Sequence, residues 1–311
     1  MQIAIKQDLI QSMGQKISSP VWMMVGATLL FATMTLCVKL ASMDYGTGEI
    51  VFYRGVVGIL MMGWFTHRRG GTLYTSLPAM HFWRSLIGVS SLGLWFYAIA
   101  ELPLATAVTL NYMSPIWMAL LLLGGSFLLG TGRVNGWLVL TVLIGFTGVV
   151  CVLQPAMDRD QLWGGLMGLL SGLFAAMAYL QVTALGRAGE PDERVVFYFS
   201  IGSAGGGALV ATLAGGWHAH TLQGLASLIG VGILATLAQL LLTRAYRTGN
   251  MLVNASLQYL GIVWAFLYGA LLFDDPVTAL SLLGMGLIAF AGITAARLRQ
   301  PRHRHKSIFP R

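Results

Sequence analysis

Apolar and polar stretches alternate along the whole chain with a long period. Ten apolar runs, rich in Leu, Val, Ala and Gly, fall near 21–41, 49–66, 80–99, 105–129, 136–153, 163–186, 194–214, 222–243, 251–273 and 279–298. Each is about 17–25 residues long, the length an α-helix needs to cross a hydrocarbon core of roughly 30 Å. A barrel strand would be about ten residues of alternating polarity, and no such segment occurs. The pattern predicts an all-α polytopic membrane protein with ten transmembrane helices.

Charge placement orients these helices. With the N-terminus in the cytoplasm, the inside segments hold Lys6, Lys16, Arg68, Arg69, Arg133, Arg187, Arg194, Arg244 and Arg247. The C-terminal tail adds Arg297, Arg299, Arg302, Arg304, Lys306 and Arg311, whereas the outside loops hold only Arg159, between Asp158 and Asp160. Cations in short loops mark the cytoplasmic side. One missed or invented helix would scramble this alternation, so an even number of spans and two cytoplasmic termini follow. The expected location is a bacterial inner membrane.

Composition narrows the class. Hydrophobic residues make up 56% of the 311 and charged residues 10%, with a mean hydropathy of +0.73. Soluble domains carry about 25% charged residues, so this chain lacks the charges to cover a polar surface. The net charge of +8 does not imply nucleic acid. It sits in loops and tail, where it meets anionic lipid headgroups. The first twenty residues lack the apolar core and cleavage site of a signal peptide, so the first helix should insert uncleaved. Cys37 and Cys151 lie within apolar spans and predict neither a disulfide nor a metal site.

The chain repeats itself. TLNYMSPIWMAL at 109–120 aligns without gaps with SLQYLGIVWAFL at 256–267. Leu110 matches Leu257, Tyr112 matches Tyr259, Trp117 matches Trp264, and Asn111 faces Gln258. LFATM at 30–34 resembles LFAAM at 173–177, and FTGV at 146–149 resembles FAGI at 290–293. The matches keep their order, which argues for duplication into two five-helix halves, 21–153 and 162–298. A segment at 1–20 precedes them, an external linker at 154–161 joins them, and a basic tail at 299–311 follows. Five is odd, so the second half enters the membrane from the opposite side. Two inverted five-helix repeats are an arrangement behind many alternating-access transporters. A receptor or membrane enzyme does not need this symmetry.

At this point the chain resembles the drug/metabolite transporter superfamily, of the EamA type. The resemblance covers about 21–298. It rests on the ten helices in two halves, on RSLIGVSSLGLWFYAIAELPLATAVTLNYMSPIWMALLL, on LATLAQLLLTRAYRTGNMLVNASLQYLGIVWAFLYGALLF, and on GTGEIVFYRGV at 46–56. It implies a secondary transporter of small metabolites with a central cavity between the halves. The second-half pattern is most similar to the S-adenosylmethionine-carrier branch.

Ionisable groups inside a membrane are costly and point to function. Here they are Lys39, Arg54 and Arg84, with Glu49 and Glu101 at outer helix ends. Arg54 and Arg84 are some 6–8 Å below their helix ends at about 1.5 Å per residue. That depth leaves two readings open, a lining of the substrate path and snorkelling to the interface. Glu49 is placed to pair with Lys39 or Arg54. No Asp or Glu falls near the middle of a span, so the cations suit a substrate with a carboxylate better than a lipophilic cation.

Pro115 lacks an N–H, so the carbonyl of Asn111 loses its helical partner. That carbonyl and the Asn111 amide sit roughly 10 Å below the outer surface. Inverted symmetry puts Gln258 a similar distance above the inner surface. The two amides either contact substrate or bond neighbouring helices. Gln239 and Tyr179 add polar groups within spans. Trp95, Tyr112 and Tyr259 offer aromatic faces for a ring or a cation, against the alternative that they pack the core. Trp64, Trp83, Trp137, Trp163 and Trp217 stand at helix ends as interface anchors.

These residues imply a small-molecule substrate and membrane lipids as partners, no cofactor and no metal. RHRHK at 302–306 reads as a solvated tail, and the remaining histidines form no ligand set. Without a Walker loop, ATP hydrolysis is unsupported. No nucleophile–base set marks an enzyme. The first reading is a carrier of an amino-acid-like metabolite, S-adenosylmethionine included. An exporter of drugs or a carrier of a vitamin such as riboflavin is the alternative. A non-transporting scaffold subunit and a homo-oligomer stay open, because glycines such as Gly164, Gly168 and Gly172 serve any close helix packing.

Overall fold

The computed structural model describes residues 19–102, 104–129, 135–154, 161–214, 216–272 and 278–298. The N-terminal segment, most of the linker at 154–161 and the basic tail lie outside the described residues, as does the side chain of Lys39. Every regular element among the described residues is an α-helix. In order they are α1 (Ser19–Ala41), α2 (Thr47–Arg68), α3 (Pro78–Glu101), α4 (Leu104–Asn111), α5 (Ser114–Leu129) and α6 (Gly136–Leu153). The second half holds α7 (Leu162–Arg187), α8 (Asp192–Ala214), α9 (Leu222–Thr248), α10 (Met251–Gln258), α11 (Leu260–Leu272) and α12 (Ala279–Arg297).

Pairs α4–α5 and α10–α11 each make one broken span, so the twelve helices form the ten spans expected. Nine stretches among the described residues have the length and hydropathy of a membrane span. The remaining helix, α3, is 24 residues long but carries His81, Arg84, Ser85, Ser90, Ser91, Tyr97 and Glu101. Local signals start the helices. Pro78 opens α3, and Asn135, Thr221, Asn250 and Thr278 each accept a hydrogen bond from a free N–H of the first turn.

The two halves interlock. Helix α1 packs on α9, and its counterpart α7 packs on α3; α2 packs on its own counterpart α8, and α6 on α12. All four contacts run antiparallel. On α2, Gly48 meets Val210 and Ala211, Gly55 meets Ala204, and Gly58 meets Ser200 of α8. On α6, Gly148 meets Gly284 and Gly145 meets Ala291 of α12. A helix can lie antiparallel on its own counterpart in this way only if the halves are related by inversion.

The closest approaches need glycine. A Cβ on Gly55 would stand 2.5 Å from the Ala204 nitrogen, and one on Gly284 would stand 2.5 Å from the Gly148 carbonyl oxygen. The outer surface is apolar, as lipid contact requires. Trp64, Trp83, Trp137 and Trp163 project from helix ends with more than half of their surface exposed.

Candidate functional site

Arg54 and Arg84 enter the core from opposite ends of the bundle. Arg54 lies seven residues along α2 and Arg84 six along α3, about 9–10 Å from each helix start. Neither snorkels. The Arg84 guanidinium lies over Gly88, one turn deeper, where a Cβ would collide with its Nη1. Arg84 is 3% exposed, and its Nε and Nη1 are buried without a partner. The glycine four residues on opens that inward path, which decides against the alternative of a side chain reaching back to the interface. Both guanidiniums instead face Phe199 on α8, with Arg54 5.6 Å and Arg84 4.2 Å from its ring centroid. Neither forms an ion pair with any described residue.

Magnitudes show how incomplete this arrangement is. A desolvated cation–π contact is worth about 2 kcal/mol. Removing a guanidinium from water costs several kcal/mol. One ring shared by two cations does not offset that cost.

Arg54, Phe199, Ser200, Ser203, Thr236 and Gln239 line a cavity of about 10 Å³, room for one water. Beyond it, the Tyr179 hydroxyl lies beside the side chain of Gln258, whose Nε2 is buried and unpartnered. The Tyr179 ring stacks on Tyr246, centroids 5.3 Å apart and planes 4° off parallel. The rings of Tyr112 and Tyr259 lie 6.4 Å apart. The structure thus groups Arg54 with Gln239, Tyr179 with Gln258, and Tyr112 with Tyr259. Trp95 is half-buried on α3. Asn111 points elsewhere: its Nδ2 donates to Ser171 Oγ on α7 at 3.1 Å.

Sequence reasoning weighed Arg84 but did not place it in the site, and it missed Phe199. Gly88 one turn after an arginine was the available signal for the first. For Phe199 the signal was the repeat itself: VVFYFS at 195–200 matches IVFYRG at 50–55, which puts Phe199 at the position that Arg54 takes in the first half.

Both ends of the bundle are latched by polar groups joining the halves. At one end Glu190, from the turn between α7 and α8, accepts from Thr75 Oγ1 at 2.9 Å and Arg194 Nη1 at 3.0 Å. His81 Nε2 lies 3.2 Å from the same oxygen, Oε2, that Arg194 bonds, and Arg194 also donates to the Thr72 carbonyl. Burial opposes ionisation of Glu190, but the bonds from Thr75, His81 and Arg194 outweigh it and hold its pKa below the usual 4.5. At the other end, Glu49 accepts from the backbone nitrogens of His218 at 2.8 Å and Gly46 at 3.0 Å, with His218 Nδ1 at 2.6 Å. Glu49 is therefore held by His218 and not by Arg54, because the loop after α8 folds over the start of α2. A pocket of about 240 Å³ opens beside this second latch.

Comparison with known proteins agrees with this architecture. The profile of the EamA-like transporter family matches residues 18–154. The chain is 31% identical over 293 residues to the pseudopaline exporter CntI of Pseudomonas aeruginosa, covering 91% of this chain and 98% of that protein. It is 24% identical over 233 residues to an S-adenosylmethionine uptake transporter of Rickettsia bellii, covering 73% and 76%. A crystal structure matches the fold with a TM-score of 0.78 at 20% identity, over 89% of this chain and 98% of that one.

Proposed function

The chain belongs to the EamA-like transporter family, and from that premise we propose that it carries an amino-acid-like metabolite across a bacterial inner membrane by alternating access. The class includes nucleoside-linked amino acids such as S-adenosylmethionine. The observation that carries this reading is a polar, uncompensated core enclosed between two polar latches, one at each end. Opening one latch while the other holds would expose the core to one side at a time. Two inverted halves, 21–153 and 162–298 with the linker at 154–161, give the two openings similar energy.

In this reading Arg54 takes the substrate carboxylate, since a guanidinium binds two oxygens with a matching fork. Gln258 Nε2 and the Tyr179 hydroxyl donate to it, and Gln239 borders the same space. The Asn111 carbonyl oxygen accepts from an ammonium group while its Nδ2 holds Ser171. Tyr112, Tyr259 and Trp95 supply apolar faces. The Glu190 end faces the cytoplasm with both termini, and lipid surrounds the bundle.

Alternating access is reversible, so the gradients decide direction. Purified protein in liposomes preloaded with unlabelled metabolite should take up labelled amino acids or S-adenosylmethionine by counterflow. Folded protein that moves no member of a broad panel would defeat the reading and favour a scaffold. Reporter fusions after residues 45 and 311 should report opposite sides, and agreement between them would defeat the topology.

The stacked Tyr179–Tyr246 pair favours one second reading, a flat-ring vitamin such as riboflavin. Stabilisation against heat by riboflavin and not by amino acids would select it.

A further inference from the structure

A single carboxylate occupies one guanidinium, and the core holds two. Arg54 from α2 and Arg84 from α3 converge on Phe199, so their cationic carbons can be no further apart than the sum of 5.6 and 4.2 Å. Arg84 is buried with Nε and Nη1 unpartnered, and the notch at Gly88 aims it inward. The acidic groups among the described residues are occupied elsewhere or stand at the ends of the bundle. Glu49 holds His218, Glu190 holds Arg194, Asp192 holds Arg247, and Glu193 holds Arg69. Asp44 meets Thr221 at the Glu49 end, and Glu101 is exposed at the end of α3. The protein supplies no counter-charge to the pair, and two like charges beside one ring repel each other.

We propose that Arg54 and Arg84 form one two-guanidinium site, and that its substrate is a small dicarboxylate, an amino-acid-like molecule with a second acidic group. Each carboxylate takes one guanidinium fork, so a bridging dianion replaces the repulsion with two charge-assisted contacts. The Phe199 ring lies against both cations. S-adenosylmethionine, with one carboxylate, leaves Arg84 unmatched. The cargo rests on the transport reading above, whereas the site itself is a binding property that is measured without transport.

The test is binding of glutarate, its monomethyl ester and inorganic phosphate to the purified full-length protein, followed by thermal shift and calorimetry. Wild-type protein should bind glutarate about ten- to a hundredfold more tightly than the monoester, the worth of one charged contact. Arg84→Gln should bring the diacid down to the monoester's affinity, and Arg84→Lys should restore part of the difference. Equal affinity for diacid and monoester in the wild type, or a preference that survives in Arg84→Gln, overturns the proposal. Tighter binding of inorganic phosphate than of glutarate overturns the dicarboxylate assignment. If Arg84→Gln does not fold, the wild-type diacid–ester ratio decides alone. Flux in liposomes without diacid preference sinks this site and leaves transport standing, while diacid preference without flux of any dicarboxylate does the reverse.

Discussion

The two broken helices are equivalent in sequence but solve one problem with exchanged parts. In the first half, Asn111 donates to Ser171 on α7 at 3.1 Å, and Trp117 Nε1 is buried without a partner. In the second half, Trp264 Nε1 donates to Thr28 on α1 at 3.2 Å, and it is the Nε2 of Gln258 that lacks one. Asn111 aligns with Gln258 and Trp117 with Trp264. Ser171 and Thr28 each stand two residues before the matching LFAAM and LFATM segments. Each half therefore ties its broken helix to the first helix of the other half by one hydrogen bond, made by the indole in one and the amide in the other. The side chain left over in the second half is Gln258, which turns to Tyr179. Inexact symmetry thus frees an amide in the core that exact symmetry would have spent on packing.

The backbone breaks differ as well, and this difference gives the largest expected effect. A Cβ on Gly172 of α7 would stand 2.8 Å from the Leu110 carbonyl oxygen at the first break. A Cβ on Gly261 at the second would stand 2.7 Å from the Tyr112 hydroxyl. A hydroxyl at the tip of a side chain can swing aside, and a helix carbonyl cannot. Gly172→Ala should therefore cost near the upper end of the about 1–3 kcal/mol of overpacking. Gly261→Ala should be nearly neutral, helped by the roughly 0.5–1 kcal/mol that Ala gains over Gly in a helix. Thermal unfolding in detergent measures both. Equal losses would mean that the second break is as rigid as the first.

That contrast also marks what the sequence could show. Span number followed from hydropathy and loop charge, which are one-dimensional properties, and ten spans appear. The first break was visible because proline removes a donor at a known place. The second, at Tyr259, was not, because it has no proline. Arg54 was found as an ionisable group in a span. The direction of Arg84 stayed open, because the choice between interface and core turns on the rotamer that Gly88 permits. The Glu49–His218 contact joins residues 169 positions apart, and no spacing rule reaches that far.

The two ends extend the comparison, because the Glu190 latch leans on an arginine and the Glu49 latch on a histidine. The Glu190 carboxylate has a folded-state pKa below the usual 4.5. Its contribution is thus fully present above that value and is lost as pH falls through the lowered pKa. Glu190→Gln should lower stability at neutral pH by about 1.5–3 kcal/mol, the worth of bonds to a charged group. It should also flatten the loss that the wild type shows on acidification. Melting curves taken from neutral to acid pH decide the matter, and an unchanged slope in Glu190→Gln would clear this latch of any part in acid sensitivity.

The two amides should separate by the kind of damage they do. Asn111→Ala removes the bond to Ser171 and should cost about 0.5–1.5 kcal/mol of stability. Gln258→Ala breaks no tie between the halves, so it should leave melting closer to wild type while weakening substrate affinity by about two- to a hundredfold, depending on whether the lost partner is neutral or charged. Counterflow at varied substrate concentration, read beside melting temperature, tells the two apart. If both variants lose stability alike and transport alike, the division of labour between the halves is wrong.

The smallest effect is the sharpest, because it compares one indole with its counterpart. Trp264→Phe keeps most of the ring volume and deletes the bond to Thr28, so it should cost about 0.5–1.5 kcal/mol. Trp117→Phe deletes a buried N–H that has no partner, and relief of that unmet donor should make the change neutral or slightly stabilising. Loss of ring volume enters both variants in the same sense, so the difference between them isolates the hydrogen bond. A cycle with Thr28→Val makes the point independent of packing: the valine should lower stability in the wild type and do less in Trp264→Phe, with a coupling energy near 1 kcal/mol. No coupling would mean that the bond contributes nothing to the tie between α1 and the second broken helix, and the exchange of roles between indole and amide would fail with it.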